Sequence, residues 1–587
     1  MTNSVVSAAL AAVSFVECPK CDKRMRISDD GRSATINLCR IDPERKEEMA
    51  ARAARLLELA KPVIPGNPSA PLMGWSSWNT FGLDISEDVI LGTARAMAAN
   101  GLKDAGYTYV NIDDGFFYGH DENGRLRFHP VRFPNGLKGT VDGIHALGMK
   151  AGIYTDAGAD TCGSSFSGDK GGLGSGLYGH DAEDCRLHFN ELGFDFIKVD
   201  WCGGRTLKLD LRGRYTEIAR AIAATGRKDV RMNICCWAFP GTWAADIAGS
   251  WRTTGDIRAS WRSVRGIIAE NLYLSAFARP GRFNDMDMLE AGMLKGKVKS
   301  FFGKNDPGLT PDEETTHFGM WCMLSSPLVL GNDVRNMPEE SLKLVTNPFL
   351  LRMNQDPLGL QGYVVSSDRG AYILVKDAFE RFGRSRYVAL YNSSDEEREF
   401  AVPARALDLG GRIAAFDLVE RADAGEFEDE VRVRVRPHAS KFYLFDAAER
   451  LDREIYEAET AWLAKYNEVG YDKGRSAFAA PLEGASGGMG VRFLGGEGND
   501  LVWRDVFVSR DGEYDLEIRY NSWDARVLFL QIDGGEPLRI ETPASARGAI
   551  DSATRQVRLA KGAHCVKIFN NGAFTADVDC MILRPAR

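Results

Sequence analysis

A chain of 587 residues with 44% hydrophobic and 26% charged side chains is too long for a single hydrophobic core and reads as a globular protein of two to four domains. Its net charge of −9 arises from 82 acidic and 73 basic residues interspersed along the chain, so it offers no extended basic face for phosphates and no nucleic-acid partner is expected. No run reaches the ~20 unbroken apolar residues a membrane span needs.

Residues 1–16 are mostly apolar but lack a basic leading segment and a small-residue cleavage site before Cys18, so the reading is a poor leader, with a cytoplasmic location favoured over export. Cys18, Cys21 and Cys39 look like part of a zinc knuckle. With three sulfurs and no histidine in the first 100 residues, free thiols on a β-turn are the preferred reading. Eleven cysteines cannot all pair internally, and in a chain this long they do not amount to a disulfide scaffold. Residues 1–69 form an N-terminal extension with no assigned role, a strand-and-turn piece followed by a helix over 43–60 that the Pro-Gly-Asn-Pro stretch at 65–68 ends.

From residue 70 to 345 short apolar runs alternate with helical segments, the pattern of a parallel sheet wrapped by helices. Eight runs, 72–75, 107–113, 150–155, 194–199, 231–235, 250–254, 282–285 and 327–330, fit the staves of a (β/α)8 barrel. Between the first two, Ser86 caps a helix with apolar positions Val89, Ile90, Ala94 and Met97, and Gly101 stops it; further helices are expected over 139–147, 182–192, 211–224 and 315–324. Residues 346–450 lose the helices and become the alternating strands of an antiparallel β-sandwich, ending in a charged linker at 448–454. A second all-β domain fills 455–587.

Chemistry belongs where barrel strands end, because there loops from many strands converge. Six acids fall at four such ends: Asp113 and Asp114, Asp200, Asp256, and Asp285 with Asp287. One acid at a strand end serves as readily to cap a helix, but six over four ends are hard to assign to capping. Glycoside cleavage with retention needs two carboxyl groups about 5–5.5 Å apart, one ionised and one protonated, and the strands bearing Asp200 and Asp256 can supply them. Lys198 shares a strand face with Asp200, where its cation favours the ionised acid, and Arg252 stands ready as a hydroxyl donor. The glycine-rich stretch 163–179 lacks the lysine and the helix register of a phosphate loop and reads as a flexible lid over the pocket.

Six motifs carry a family resemblance: Met73-Gly74-Trp75-Ser76-Ser77-Trp78-Asn79, Ile112-Asp113-Asp114-Gly115, Ile197-Lys198-Val199-Asp200-Trp201-Cys202, Ser250 through Ile257, Asn284 through Leu289 and Asn354-Gln355-Asp356-Pro357-Leu358-Gly359. In this order, over roughly residues 70–445, they resemble glycoside hydrolase family 27, whose best-known members are α-galactosidases. The resemblance implies Asp200 as nucleophile and Asp256 as general acid/base, with Asp113 and Asp114 on the galactose O4 and O6, and Lys198 and Arg252 on other hydroxyls. It also implies Trp78 as an apolar wall, Tyr154, Trp237 and Asp287 completing the pocket, and a disulfide between Cys162 and Cys202. Where many members read Cys-Glu-Trp, this chain has Cys235-Cys236-Trp237, which removes an acceptor for the sugar 2-hydroxyl, and bulky Phe239 argues against a 2-acetamido group.

The C-terminal domain resembles carbohydrate-binding modules of families 6 and 35 through Tyr456-Glu457-Ala458-Glu459, Ser486-Gly487-Gly488, Val506-Phe507-Val508 and Gly512-Glu513-Tyr514. That resemblance implies a structural calcium held by Glu457 and Glu459, and Trp523 or Tyr520 stacking on sugar, with core packing the alternative for each ring. The leading expectation is an α-galactosidase that acts on a carbohydrate without a catalytic cofactor. The same chemistry on a β-L-arabinopyranoside, or on an α-glucosidic isomalto-oligosaccharide or dextran, and a non-catalytic carbohydrate-binding protein stand as alternatives. A homo-oligomer is left open.

Overall fold

Eight parallel strands, each no longer than seven residues, make the centre of the chain in a computed structural model that describes residues 11–586 apart from 65, 302–304, 470–475 and 547–548. They are β1 (Met73–Ser76), β2 (Tyr109–Ile112), β3 (Lys150–Asp156), β4 (Phe196–Asp200), β5 (Arg231–Ile234), β6 (Ser250–Arg252), β7 (Phe283–Asp285) and β8 (Leu328–Leu330). Each pairs in parallel with the next from β1 to β7, and β8 returns to pair with β1. Between β7 and β8 the ring closes just past the strand end, where Leu289 donates to Val329 O at 2.7 Å and accepts from Gly331 N at 2.9 Å. The alternation of apolar runs and helices thus yields the expected barrel, and its upper rim collects the loops that carry the acids.

The helices follow local rules. Ser86 Oγ accepts from Val89 N and starts the helix Glu87–Ala99, and Leu211–Ala224 spans the residues its periodicity predicts. The helix expected over 315–324 begins earlier, at Pro311, because Thr310 and Glu313 form a reciprocal capping box and proline fits the first turn. The helix expected over 182–192 is α-helical only across Asp181–Arg186 and continues as a wider π turn over Leu187–Leu192.

The N-terminal extension is part of the domain that follows the barrel. Its strands Val13–Val16, Met25–Ile27 and Ala34–Asn37 continue a nine-stranded sheet, joining at Arg26 opposite Ala422. Its helix Lys46–Leu59 ties down through Arg45–Glu426, Arg52–Asp423 and Arg55–Asp446. A two-stranded ribbon, Arg398–Pro403 with Glu430–Val435, covers this sheet over a core that includes Val375, Leu390, Val402 and Phe445. The expected linker is shorter than its charge implies, since the strand Ser440–Arg450 pairs through Arg450 with Leu409. The residues 1–10 of the apolar start lie outside the described residues, and no helix among the described residues is long and apolar enough to cross a membrane.

The C-terminal domain stacks a six-stranded sheet and a five-stranded sheet face to face. Leu516 and Ile518 from one sheet and Leu528, Leu530 and Ile568 from the other are buried as alternation requires. Tyr520 is 3% exposed and belongs to this core, so the sugar-stacking role considered for it is withdrawn; Trp523 is 81% exposed.

Candidate active site

At the end of β2 the chain turns through Asp113-Asp114-Gly115. Gly115 has φ +114°, and a side chain there would meet Leu83 O at 2.9 Å, so only glycine lets both acids face inward. Asp113 Oδ2 accepts from Ser76 Oγ at 3.1 Å and Lys198 Nζ at 3.2 Å, while Oδ1 accepts from Asp114 N at 3.0 Å. Asp114 accepts from Gly115 N at 2.8 Å and Gly163 N at 2.7 Å. Burial nevertheless pushes its carboxyl up to about 7.

Across the mouth, Asp200 ends β4 and Asp256 lies four residues past β6. Asp200 Oδ1 accepts from Trp201 N at 3.0 Å, and Lys198 Nζ stands 3.7 Å from Oδ2. Burial raises the Asp200 carboxyl to about 6; Lys198 opposes the rise and the charge of Asp256 adds to it. Asp256 is thus close enough for its charge to be felt at Asp200. Their settings differ, for the Asp200 side chain is 6% exposed whereas that of Asp256 is 49% exposed.

Two cations organise four acids. Lys198 lies between Asp113 and Asp200, and Arg252 binds Asp256 at 3.1 Å and Asp287 at 3.0 Å. Burial opposes both cations, but these carboxylates hold them charged. Asp287 adopts φ +73° and accepts from Ile257 N at 2.7 Å, so a strained backbone fixes the carboxylate beside the loop that carries Asp256. Tyr154 is buried with Lys198 Nζ 5.3 Å above its ring, and its hydroxyl accepts from Cys162 N at 3.1 Å. Trp78 is buried 5.5 Å from Phe301, and Trp237, at φ +60°, carries the Arg205 guanidinium 5.1 Å from its ring.

The pairing of Cys162 with Cys202 is present as a disulfide joining the loops after β3 and β4. The nine other cysteines are free thiols, Cys18, Cys21 and Cys39 included. Residues 163–179, expected as a flexible lid, are tied down instead. Gly163 N–H binds Asp114, Gly174 N–H binds Asp160 Oδ1 at 2.8 Å, and Gly176 N–H binds Ala159 O at 2.8 Å. Cys236 does not replace the missing acid, because its thiol turns back to donate to Ala238 O at 3.3 Å. Phe239 is buried among Trp251, Phe277 and Tyr466, so the steric case it made against a 2-acetamido group falls away.

Asp156 was missed. It ends β3, accepts from Gly158, Gly203 and Gly204 N–H groups, and is pushed by burial to about 7. The strand-end rule that found Asp113 and Asp200 would also have found it. Glu457 and Glu459 lie apart, in the C-terminal domain, and do not join this site.

The chain is similar to known proteins over this region. The family described as alpha galactosidase A matches residues 70–356. An α-galactosidase of Cyamopsis tetragonoloba is 33% identical over 384 residues, 65% of this chain and 87% of its own length. α-Galactosidase A of Cellvibrio japonicus is 35% identical over 364 residues, 60% of this chain and 80% of its own. The crystal structure of α-galactosidase I from Mortierella vinacea superposes with a TM-score of 0.57 at 29% identity, covering 65% of this chain and 98% of that one.

Proposed function

The chain belongs to glycoside hydrolase family 27, whose best-known members are α-galactosidases, and from that membership we propose how its own residues remove a terminal α-galactosyl group with retention. Asp200, ionised, attacks the anomeric carbon while Asp256, protonated, hands its proton to the departing glycosidic oxygen. The galactosyl group is then an ester of Asp200. Asp256, now ionised, takes a proton from water, which attacks the same carbon and releases galactose with its original configuration.

The observation that carries this reading is the asymmetry of the pair. A nucleophile gains from burial because water competes less for its charge, whereas a proton shuttle must reach both leaving group and solvent, which matches Asp200 and Asp256 respectively. Asp113 and Asp114 hold O4 and O6, Lys198 and Arg252 bind further hydroxyls, Tyr154 and Asp287 complete the polar wall, and Trp78 and Trp237 flank the apolar sugar face. The test is Asp200→Ala on a nitrophenyl α-galactoside, expected to lower kcat by about 10⁴-fold or more. Parent-like turnover by that variant, or faster hydrolysis of the β-L-arabinopyranoside by the parent, overturns the assignment.

For residues 455–587 we propose a carbohydrate-binding module with a structural calcium. The fit rests on Glu457 Oε2 and Glu459 Oε2, both buried without a hydrogen-bond partner, and on Asp579, which with the Cys580 thiol lies within 4.8 Å of Glu457. Burial pushes these glutamates to about 7 and about 8, a cost that a bound cation removes, and oxygen donors suit a hard ion. Exposed Trp523, with Phe493 and Phe574 6.3 Å apart, supplies surface for stacking on sugar rings.

A further inference from the structure

The turn after β5 carries Trp237 in a left-handed conformation that bulky residues adopt only when their surroundings hold them there. On one side the Arg205 guanidinium covers the Trp237 ring. On the other, the grip comes from the C-terminal domain. Glu468 N–H donates to Phe239 O at 2.9 Å, and Thr242 Oγ1 donates to Ala464 O at 2.9 Å. Between these two bonds the Tyr466 ring packs on Phe239 and on Phe277, each at 5.1 Å. Phe239 in turn lies edge-on to Trp251, the residue before Arg252 on β6. A crevice of about 1350 Å³ opens along the same boundary.

We infer that Tyr466 is a positioning residue for the sugar pocket: clamped on Phe239, it fixes the turn that presents Trp237, so the C-terminal domain completes the barrel's rim. The inference rests on the reading of Trp237 as a wall of the galactoside pocket. A flat ring is what the site requires, since Tyr466 is 8% exposed and its hydroxyl binds its own domain's Glu468. A tethered module that merely captured polymer would make no such contact, and its loss would leave small substrates unaffected.

The experiment uses the full chain with Tyr466→Ala and Tyr466→Phe, following kcat and KM on a nitrophenyl α-galactoside together with hydrogen exchange of the peptide 236–243. Tyr466→Ala is expected to raise KM about tenfold with kcat within about twofold, and to speed exchange in that peptide and at Glu468 but not across the rest of the chain, while Tyr466→Phe keeps the ring and behaves as the parent. Unchanged KM and exchange in Tyr466→Ala overturn the proposal, as does a fall in kcat accompanied by faster exchange throughout the chain. Should Tyr466→Ala fail to fold, Thr242→Val severs the neighbouring bond and is expected to raise KM about threefold; an unchanged KM there counts against the clamp. If the parent cleaves no galactoside, the functional reading fails, and the exchange of 236–243 still decides whether Tyr466 holds the turn.

Discussion

Lys198 is where the charge balance of the site is set. Burial alone would keep Asp200 protonated well above the ordinary carboxylate range, and the nearby charge of Asp256 works in the same direction; Lys198 holds the rise to about 6. Because the attacking carboxyl must be ionised, kcat/KM should fall as pH drops through about 6, with the apparent value belonging to the coupled pair. Replacing Lys198 by methionine removes the opposing cation, so the acid limb should move up by about one pH unit or more, besides any loss of binding. A pH profile of kcat/KM measures this, and a limb that stays in place would remove Lys198 from control of the nucleophile. Asp287 contributes differently, since it shares Arg252 with Asp256 and binds Ile257 N–H, and so orients the loop that carries the proton shuttle.

Strands and loops divide the work between scaffold and chemistry. The barrel staves are short and buried, and the polar residues begin where each strand ends, so the scaffold fixes the origin of each loop to within a residue. The N-terminal strands contribute to the sandwich sheet: Met25 and Ile36 are fully buried, and the sheet is joined where Arg26 lies opposite Ala422, nearly 400 residues away in sequence. Ile36→Ala should therefore cost about 2–5 kcal/mol, read as a lower unfolding midpoint, with kcat/KM of the folded protein intact. A loss under about 0.5 kcal/mol would show that these strands sit outside the cooperative unit.

Taken over the whole molecule, the buried acids make stability depend on pH in an unusual direction. Asp114, Asp156 and Glu457 titrate at about 7, Asp200 at about 6, and Glu290 and Glu459 at about 8, all raised by burial. Between the ordinary carboxylate range and these values the folded chain binds protons that the unfolded chain has released, so their contribution is lost as pH rises from about 4.5 to 8. The melting temperature should fall between pH 5.5 and pH 8; a flat or rising trend contradicts this. Calcium should restore part of the loss at pH 8 through Glu457 and Glu459 and do less at pH 5.5, where protons compete for the same oxygens. A chelator without effect at pH 8 argues against a cation at those glutamates.

Much of this was legible in the chain because it depends on neighbours in sequence. Apolar runs with helical spacing between them define the barrel, acids placed directly after strands mark its rim, and Leu211–Ala224 reads as a helix from its own period. Local pattern could not reveal that residues 13–37 extend a sheet built from residues 363–450, or that Phe239 faces Tyr466 rather than the pocket. Nor could it separate a nearly buried Asp200 from a half-exposed Asp256. Those features arise from contacts between residues hundreds of positions apart, where burial and the neighbouring charges are decided by packing, and periodicity carries no information about which distant surfaces will meet.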